Sequence, residues 1–410
     1  MSKILIVGAG QAGLQLALGL QRDGHDVTVM SARTPGEILG GRVMSTQCMF
    51  GEALAFERAD TGTDLWADSG HRIDGLGVSV AGPDGARVID WLGRLDEYAQ
   101  SIDQRVKMAD WLELFEQQGG RVVINAATVS DLDGLAGLYD LTVVAAGKGD
   151  IVSLFGRDVT RSPYNAPQRM LAVAYVNGVE RRPEHPDIAA VRMNMVPGAG
   201  ELFMIPALTL SGPCDILFWE VVPGGPLDVF RDITDPGALT AAIIKQIKTY
   251  LPWEYERCAK AELTDLGGTL SGGYAPVVRQ PVGVLPSGHS VLGLADVVVA
   301  NDPITGQGSN NASRAAHTLL QAIRTHAGPF DEAFMRGASD AYWASVEVCT
   351  AWTNAMLTPP PPHVLEIIGA AGQFPAIANR FANGFSTPDD FAAWLLNPDS
   401  AAAYLASVAG

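Results

Sequence analysis

The sequence predicts an α/β fold: a discontinuous Rossmann-like nucleotide-binding domain, a substrate domain built on a mixed, mostly antiparallel sheet, and a helical C-terminus. Three observations predict it. A short apolar strand, Lys3–Val7, runs into a glycine-rich turn at residues 8–13 and then into a helix. Strand-like runs separated by Pro and Gly fill the middle of the chain. A second core strand and glycine-rich turn return at residues 290–310, and helix-forming sequence follows.

The bulk properties agree. A chain of 410 residues suggests two to three domains at about 150 residues each. With 47% hydrophobic and 18% charged residues it can bury a large core, which excludes a disordered chain. The net charge of −17 argues against nucleic acid or an anionic membrane as partner. A soluble, cytoplasmic protein is expected. Cys48, Cys214, Cys258 and Cys349 stand far apart, without CxxC or metal spacing, and read as buried thiols. The seven histidines, at 25, 71, 185, 289, 317, 326 and 363, also lack metal spacing, so no metal is expected. The apolar N-terminus is too short for a signal peptide, and no segment is long enough to span a bilayer.

In chain order, Lys3–Val7 reads as a fully apolar strand, Gln11–Arg22 as a helix and residues 26–30 as the next strand, a βαβ unit. A glycine-rich loop covers 34–42. Residues 78–80 and 87–91 are strand-like, 101–118 helical, and 121–125 and 141–145 short apolar strands. Strand-like runs at 170–176, 189–195, 202–205 and 216–222 form the second sheet, and Pro236–Tyr250 is helical. The strand at 290–294 and the helix at 308–326 return to the first domain. Helices then continue to the end, broken by the stiff run Pro359-Pro360-Pro361-Pro362. The nucleotide-binding domain therefore takes residues 1–75, 101–165 and 281–326. The substrate domain takes 76–100 and 166–280, and the helical region 327–410.

Gly8-Ala9-Gly10-Gln11-Ala12-Gly13 fits GxGxxG between a strand and a helix. The first glycine permits the tight turn, the second lets a pyrophosphate approach the backbone, and the third lets helix pack on strand. The phosphates then meet the positive helix end. The acidic residue expected after the second strand is absent; Met30-Ser31-Ala32-Arg33 stands there. Ser31 can bond a ribose hydroxyl. Arg33 reads as a solvated or adenine-stacking residue, the alternative being a partner for an NADP 2′-phosphate.

The second box identifies the dinucleotide. Gly293-Leu294-Ala295-Asp296 is followed by Asp302-Pro303-Ile304-Thr305-Gly306-Gln307-Gly308-Ser309-Asn310. Asp296 at a strand end can accept from a polyol hydroxyl. A helix start aimed at a flavin ring would stabilise the anionic reduced flavin. A nicotinamide enzyme has no need of this segment, so the cofactor is FAD and the first domain an FAD-binding domain.

With both boxes in place, the chain resembles the FAD-dependent aromatic monooxygenases of the para-hydroxybenzoate hydroxylase fold. Their Asp-Gly box, which serves FAD and NAD(P)H, is missing; residues 143–150 read Val-Val-Ala-Ala-Gly-Lys-Gly-Asp. More narrowly, the chain resembles the oxygenase component of the two-component styrene/indole monooxygenases. The likeness rests on Gly40-Gly41-Arg42 with Ser45-Thr46, Ala146-Gly147-Lys148, Pro167-Gln168-Arg169 and Pro197-Gly198-Ala199-Gly200-Glu201-Leu202. Gly272-Gly273, residues 302–310 and Trp352-Thr353-Asn354 complete it.

The resemblance implies that a separate NADH-dependent flavin reductase supplies reduced FAD. The oxygenase then binds O₂, forms a C4a-hydroperoxyflavin and epoxidises the C=C bond of a small hydrophobic aromatic substrate, indole or styrene. The protein orients the flavin and excludes water. An indole-type pocket is implied by Ser45 and Gln47, where the styrene branch carries Asn and Val, and by Leu76 and Ala99, where it carries a His and a Ser; Leu76 departs from the Met more usual in the indole branch. Indole 2,3-oxide would rearrange to indoxyl and give indigo.

Ser45, Gln47 and Thr305 are the expected catalytic-site residues. The expected FAD-binding residues are Gly8, Gly10, Gln11, Ala12, Gly13, Ser31, Ala32, Arg33, Arg42, Val43, Met44, Arg105, Ala127, Thr128, Ala146, Gly147, Asp296, Pro303, Gly306, Gln307, Gly308, Ser309 and Asn310. Met44, Leu76, Ala99, Pro303 and Ile304 are expected to wall the substrate pocket. Gln47 has a second reading, as a hydrogen bond to loop backbone. A homodimer is compatible with the fold, without an interface signal. The competing function is a single-component NAD(P)H-dependent FAD aromatic hydroxylase, against which the missing Asp-Gly box counts. A noncatalytic flavin-binding partner would need a damaged flavin turn, and Pro303, Gly306 and Gly308 are all present.

Overall fold

The structure, a computed structural model, describes residues 1–69, 72–147 and 149–409. The first sheet begins with β1 (Lys3–Val7), α1 (Gln11–Arg22) and β2 (Asp26–Ser31). Then come α2 (Pro35–Leu39), α3 (Gly51–Thr61), β3 (Ile73–Ala81), β4 (Arg87–Ala99), α4 (Gln104–Gln117), β5 (Arg121–Ile124), α5 (Val129–Leu135) and β6 (Leu141–Val144). The middle contributes β7 (Met170–Asn177), β8 (Ala190–Val196), β9 (Gly200–Thr209), β10 (Gly212–Val221), α6 (Pro236–Tyr250), α7 (Pro252–Cys258), β11 (Glu262–Leu263) and β12 (Thr269–Gly272). After β13 (Val277–Val278), β14 (Val282–Val284), β15 (Ser290–Gly293) and β16 (Val299–Ala300) the chain is helical. These helices are α8 (Gly308–Thr325), α9 (Glu332–Met356), α10 (Pro362–Ala370), α11 (Pro375–Asn383), α12 (Asp390–Trp394) and α13 (Pro398–Ala409).

The α/β class holds. One six-stranded sheet has the order β14-β15-β6-β1-β2-β5, parallel from β15 to β5 with β14 antiparallel at its edge. Its central strands are apolar because both faces are covered; Ile4, Leu5 and Ile6 are fully buried. A second, eight-stranded sheet, ordered β11-β7-β10-β9-β8-β3-β4 with β12 beside β7, is antiparallel except for the β3–β8 pair, and β13 pairs separately with β16. This is the mixed, mostly antiparallel sheet expected.

Some elements differ from their sequence reading. β3 and β4 extend well beyond 78–80 and 87–91, because their polar-interrupted ends still pair across the hairpin. The loop at 34–42 contains α2, closed by a Thr34–Glu37 capping box. α4 starts at Gln104 instead of 101, since the Asp103 carboxylate caps it by accepting from Arg105 N–H at 2.8 Å.

The C-terminal helices cover one face of the larger sheet. A Cβ on Gly93 of β4 would lie 2.1 Å from the Ala378 carbonyl oxygen, so α11 sits directly on strand backbone. Trp352, Phe381, Phe385 and Phe391 form a ring cluster there, with Trp352–Phe391 centroids 4.4 Å apart. Among the described residues, no helix is long and apolar enough to cross a membrane.

Candidate active site

The marked residues of the first domain gather at one sheet edge. The C-terminal ends of β1, β2, β5, β6 and β15 lead into residues 8–13, 31–33, 125–128, 145–147 and 294–296. Backbone bonds fix these segments beside one another: Gly8 N–H to Met30 O and Leu294 N–H to Val144 O at 2.9 Å, Ala145 N–H to Val7 O and Asn125 N–H to Ser31 O at 2.8 Å. Open α/β sheets bind ligands at this edge.

The glycine turn fits a dinucleotide. Gly8 has φ +119°, and a Cβ there would lie 2.8 Å from Ala145 C and Ala146 N. A Cβ on Gly13 would lie 2.0 Å from Gly8 O, so the helix is packed onto the turn. A Cβ on Gly10 would meet nothing within 4 Å. Gly10 also leaves the α1 N-terminus without a side-chain cap, and the first turn has no acidic residue. The result is an open, electropositive helix start at a backbone that a pyrophosphate can approach.

The second box has two faces. Pro303, Gly306 and Gly308 are at least partly exposed, and a Cβ on Gly306 or Gly308 would meet nothing within 4 Å. Ile304, Thr305, Gln307, Ser309 and Asn310 are buried. Gly306 takes φ +62° to close the turn. Asn310 ties this box to the loop before α3: its Oδ1 accepts from Phe50 N–H at 2.9 Å, and its Nδ2 donates to Cys48 O at 2.9 Å and Gly306 O at 3.1 Å. Ala295, which leads into exposed Asp296, has φ +52°, the one positive φ outside glycine among the described residues. Such strain concentrates at functional turns. Asp296 lies against Gly147, whose Cβ would be 3.2 Å from its own.

Several expected cofactor contacts are committed elsewhere. The Gln11 side chain turns inward and donates to Glu57 at 2.9 Å, leaving only backbone for the site. Ser31 is buried and its hydroxyl donates to Arg33 O at 2.6 Å, closing its own turn. Arg105 is 3% exposed and divides its donors among Asp103, Asp265, Thr209 and Gly41 O. It braces the site wall and has no free donor for a phosphate. Thr128 N–H donates to Asp131 in a capping box, so it cannot border adenine through that group; Ala127 packs against the buried cluster that includes Met30 and Leu132. Thr305 turns away from the open face and bonds Thr353 Oγ1 at 2.7 Å. Gln307 donates to Phe385 O at 3.0 Å.

Other residues keep an open aspect. Ala32, Arg33 and Arg42 are exposed, Ala146 partly buried and Gly147 exposed. Lys148 of the Ala146-Gly147-Lys148 segment lies outside the described residues. Met44 and Ser45 are partly buried, whereas Val43 is buried and bonds Gly267 O at 2.9 Å. The Gln47 amide donates to Ile102 O, the backbone reading; its Oε1 has Ser309 Oγ and Gln104 Nε2 at 3.4 Å. Leu76 and Ala99 belong to the buried cluster around Phe203 and Trp352, with exposures of 1% and 0%.

Sequence reading missed a buried acidic group behind the second box. Arg169 pairs with Glu201 through Nε at 2.8 Å and Nη2 at 3.1 Å, which joins two of the resemblance segments. Glu220 stands opposite Glu201 in the β9–β10 register, fully buried, and neither carboxyl oxygen has a partner among the described residues. Gly272 and Glu220 both pair with Leu171, and Tyr274 O–H donates to Asn301 O, which draws the sheet end to Asp302. Asp302 is 2% exposed and caps the Pro303 turn. The signal was a lone glutamate in the apolar run 216–222.

Burial, with Asp302 and Glu201 nearby, raises the Glu220 carboxyl well above the ordinary range, and burial raises Asp302 to about 6. The folded chain thus keeps a proton that the unfolded chain releases above the ordinary glutamate value of about 4.3. The folded state binds more protons, so this group makes stability fall as pH rises through that window. Glu220→Gln should remove that contribution. Urea unfolding between about pH 5 and about pH 8 should show E220Q gaining on the wild type as pH rises; parallel curves would contradict the assignment.

The sequence matches a family described as "Styrene monooxygenase A putative substrate binding domain" over residues 147–257. It is 32% identical over 399 residues to styrene monooxygenase StyA of Pseudomonas sp, covering 94% of this chain and 93% of the relative. It is likewise 32% identical over 397 residues to StyA of Pseudomonas fluorescens, with 94% and 93% covered. Among solved structures, a triple mutant of the flavin-dependent brominase Bmp2 superposes with TM-score 0.64 at 15% identity, covering 94% of this chain and 95% of that one. The tetrameric form of 2-methyl-3-hydroxypyridine-5-carboxylic acid oxygenase gives 0.61 at 15%, covering 86% and 90%. These two similarities are of fold.

Proposed function

Because the chain belongs to the styrene monooxygenase StyA family, we propose that it epoxidises the C=C bond of a small aromatic alkene with O₂ and reduced FAD delivered by a separate flavin reductase, and that it prefers indole. It is a two-component FAD-dependent monooxygenase. The observation that carries this reading is the paired open glycine turns at residues 8–13 and 303–308, one for a pyrophosphate and one for a flavin ring.

Reduced FAD, when bound, would supply the two electrons needed to divide O₂ between the alkene and water. The residues hold and shield it. The α1 N-terminus and Gly10 take the pyrophosphate, and Asp296 offers an acceptor to the polyol chain. The turn at Pro303–Thr305 and the loop 43–50, locked together by Asn310, frame the reacting end. Val43, Met44 and Ile304 give this frame apolar side chains, which would help to keep water out. The balance FADH⁻ + O₂ + alkene + H⁺ → FAD + epoxide + H₂O needs one proton. Glu220 and Asp302 are the buried carboxyls that can hold it behind the turn.

The preference for indole rests on Ser45 and Gln47. Gln47 Oε1 accepts only long bonds, from Ser309 Oγ and Gln104 Nε2 at 3.4 Å, which the N–H that styrene lacks could displace. Competition between indole and styrene with a flavin reductase and NADH should give indole the higher kcat/KM. Gln47→Leu should lower the indole:styrene ratio about tenfold, the worth of one hydrogen bond. An unchanged ratio, or a styrene preference in the wild type, would remove the indole assignment. NADH oxidation without a reductase would remove the two-component one.

A further inference from the structure

A cavity of about 300 Å³ opens at the end of the eight-stranded sheet beside α7, and none of its lining residues belongs to the glycine turns. Three buried or half-buried arginines reach it, and their situations differ. Arg182 bonds Glu254 and, at 2.7 Å, Asp90. Arg257 pairs with Glu254 at 2.9 Å. Arg192 is 4% exposed and makes no side-chain hydrogen bond or ion pair among the described residues. Its guanidinium lies over Gly77 of the neighbouring strand, where a Cβ would be 2.3 Å from Nη1, so the strand opposite keeps a glycine where this group lies.

A buried guanidinium with five donors and no acceptor is strongly unfavourable. Burial and Arg182 push Arg192 down to about 10, which still leaves it charged at neutral pH. Glu254 and Asp90 favour its charge through space, but no acidic group bonds it among the described residues. Asp215 and Glu180 line the space without bonding Arg192, and burial raises Asp215 to about 6. Glu254 and Asp90 are engaged by Arg182. Nearby His185 is lowered by burial and by Arg192, which disfavours its cationic form. The exposed Arg72 and Arg181 also line the cavity.

We propose that this cavity binds a small oxyanion, a carboxylate or a phosphate, in the fork of Arg192, at a site separate from the flavin edge. A guanidinium fork matches either group with two parallel hydrogen bonds. The site is unexpected on a chain of net charge −17, where long-range charge repels anions and only a specific pocket can hold one.

The test is calorimetric titration of the full chain with inorganic phosphate and, separately, succinate, with chloride at matched ionic strength as control. At least one should bind saturably and raise the melting temperature; the arm that does so identifies the oxyanion class. Arg192→Met should fold at least as well in anion-free buffer, because it removes an unpaired buried charge, and should weaken binding at least about tenfold. Arg192→Lys should retain part of the affinity. No saturable heat with either anion on the wild type would overturn the proposal whatever the variants do. Equal binding by R192M would also overturn it, since the anion would then sit elsewhere, as at the glycine turn.

Discussion

Gly13→Ala should lose the cofactor turn, while Gly10→Ala should keep the fold and lose the flavin. The Gly13 methyl would lie 2.0 Å from Gly8 O and 3.2 Å from Gly8 C. Both are backbone atoms of a turn already pinned against Ala145, so neither can yield without opening the junction of β1 and α1. Overpacking of this severity costs about 3 kcal/mol or more. Gly10 has extended backbone, φ −98° and ψ −172°, which alanine adopts freely, and open space beyond. Its substitution should change stability by less than about 0.5 kcal/mol. The methyl would occupy the approach of a pyrophosphate, so reduced-FAD binding should weaken at least about tenfold. Thermal unfolding and anaerobic FAD titration of both variants separate the effects. A stable G13A, or a G10A with native FAD affinity, would contradict the roles given to the turn.

Asn310→Ala should be the most damaging change in the second box. Asn310 is fully buried and its amide makes three bonds, to Phe50 N–H, Cys48 O and Gly306 O. Alanine leaves those groups without this partner in the interior, at about 1–3 kcal/mol for each one stranded, so a loss of about 3 kcal/mol is expected. The loop 43–50 would also come free of the flavin turn. If it helps to exclude water, the fraction of oxygen lost as hydrogen peroxide should rise along with the instability. Denaturant unfolding and a peroxide assay check the two parts. Asn310→Asp keeps the acceptor for Phe50 but sets a buried carboxylate against two carbonyl oxygens, so it should be at least as damaging at neutral pH. A variant that unfolds early yet couples oxygen normally would confine Asn310 to a structural role.

What was legible in the sequence was what local geometry encodes. The glycines at 8, 10 and 13 could be assigned separate duties because a turn between a strand and a helix constrains each position differently, and the space around them matches those duties. The βαβ order and the switch to antiparallel strands followed from hydrophobic patterning and Pro/Gly punctuation. Side-chain direction was not legible. Arg105 looked like a cofactor ligand, but its partner Asp265 is 160 residues away. Thr305 and Gln307 are the inward-facing polar residues of their turn, and their partners, Thr353 in α9 and the Phe385 carbonyl just after α11, lie in the C-terminal region. The fold brings together resemblance segments that carry no flavin role of their own. Arg169 meets Glu201, Gly273 packs against Met170, and Thr353 holds Thr305. Glu220 needed the register of two neighbouring strands before its isolation could be seen.

The most direct test of the monooxygenase account is a single turnover. The protein is loaded anaerobically with one equivalent of reduced FAD and mixed with oxygenated buffer and indole or styrene, without NADH or reductase. Oxygenated product and hydrogen peroxide are then counted per flavin. The account predicts nearly one product per flavin with little peroxide. Stoichiometric peroxide with no oxygenated product would contradict it.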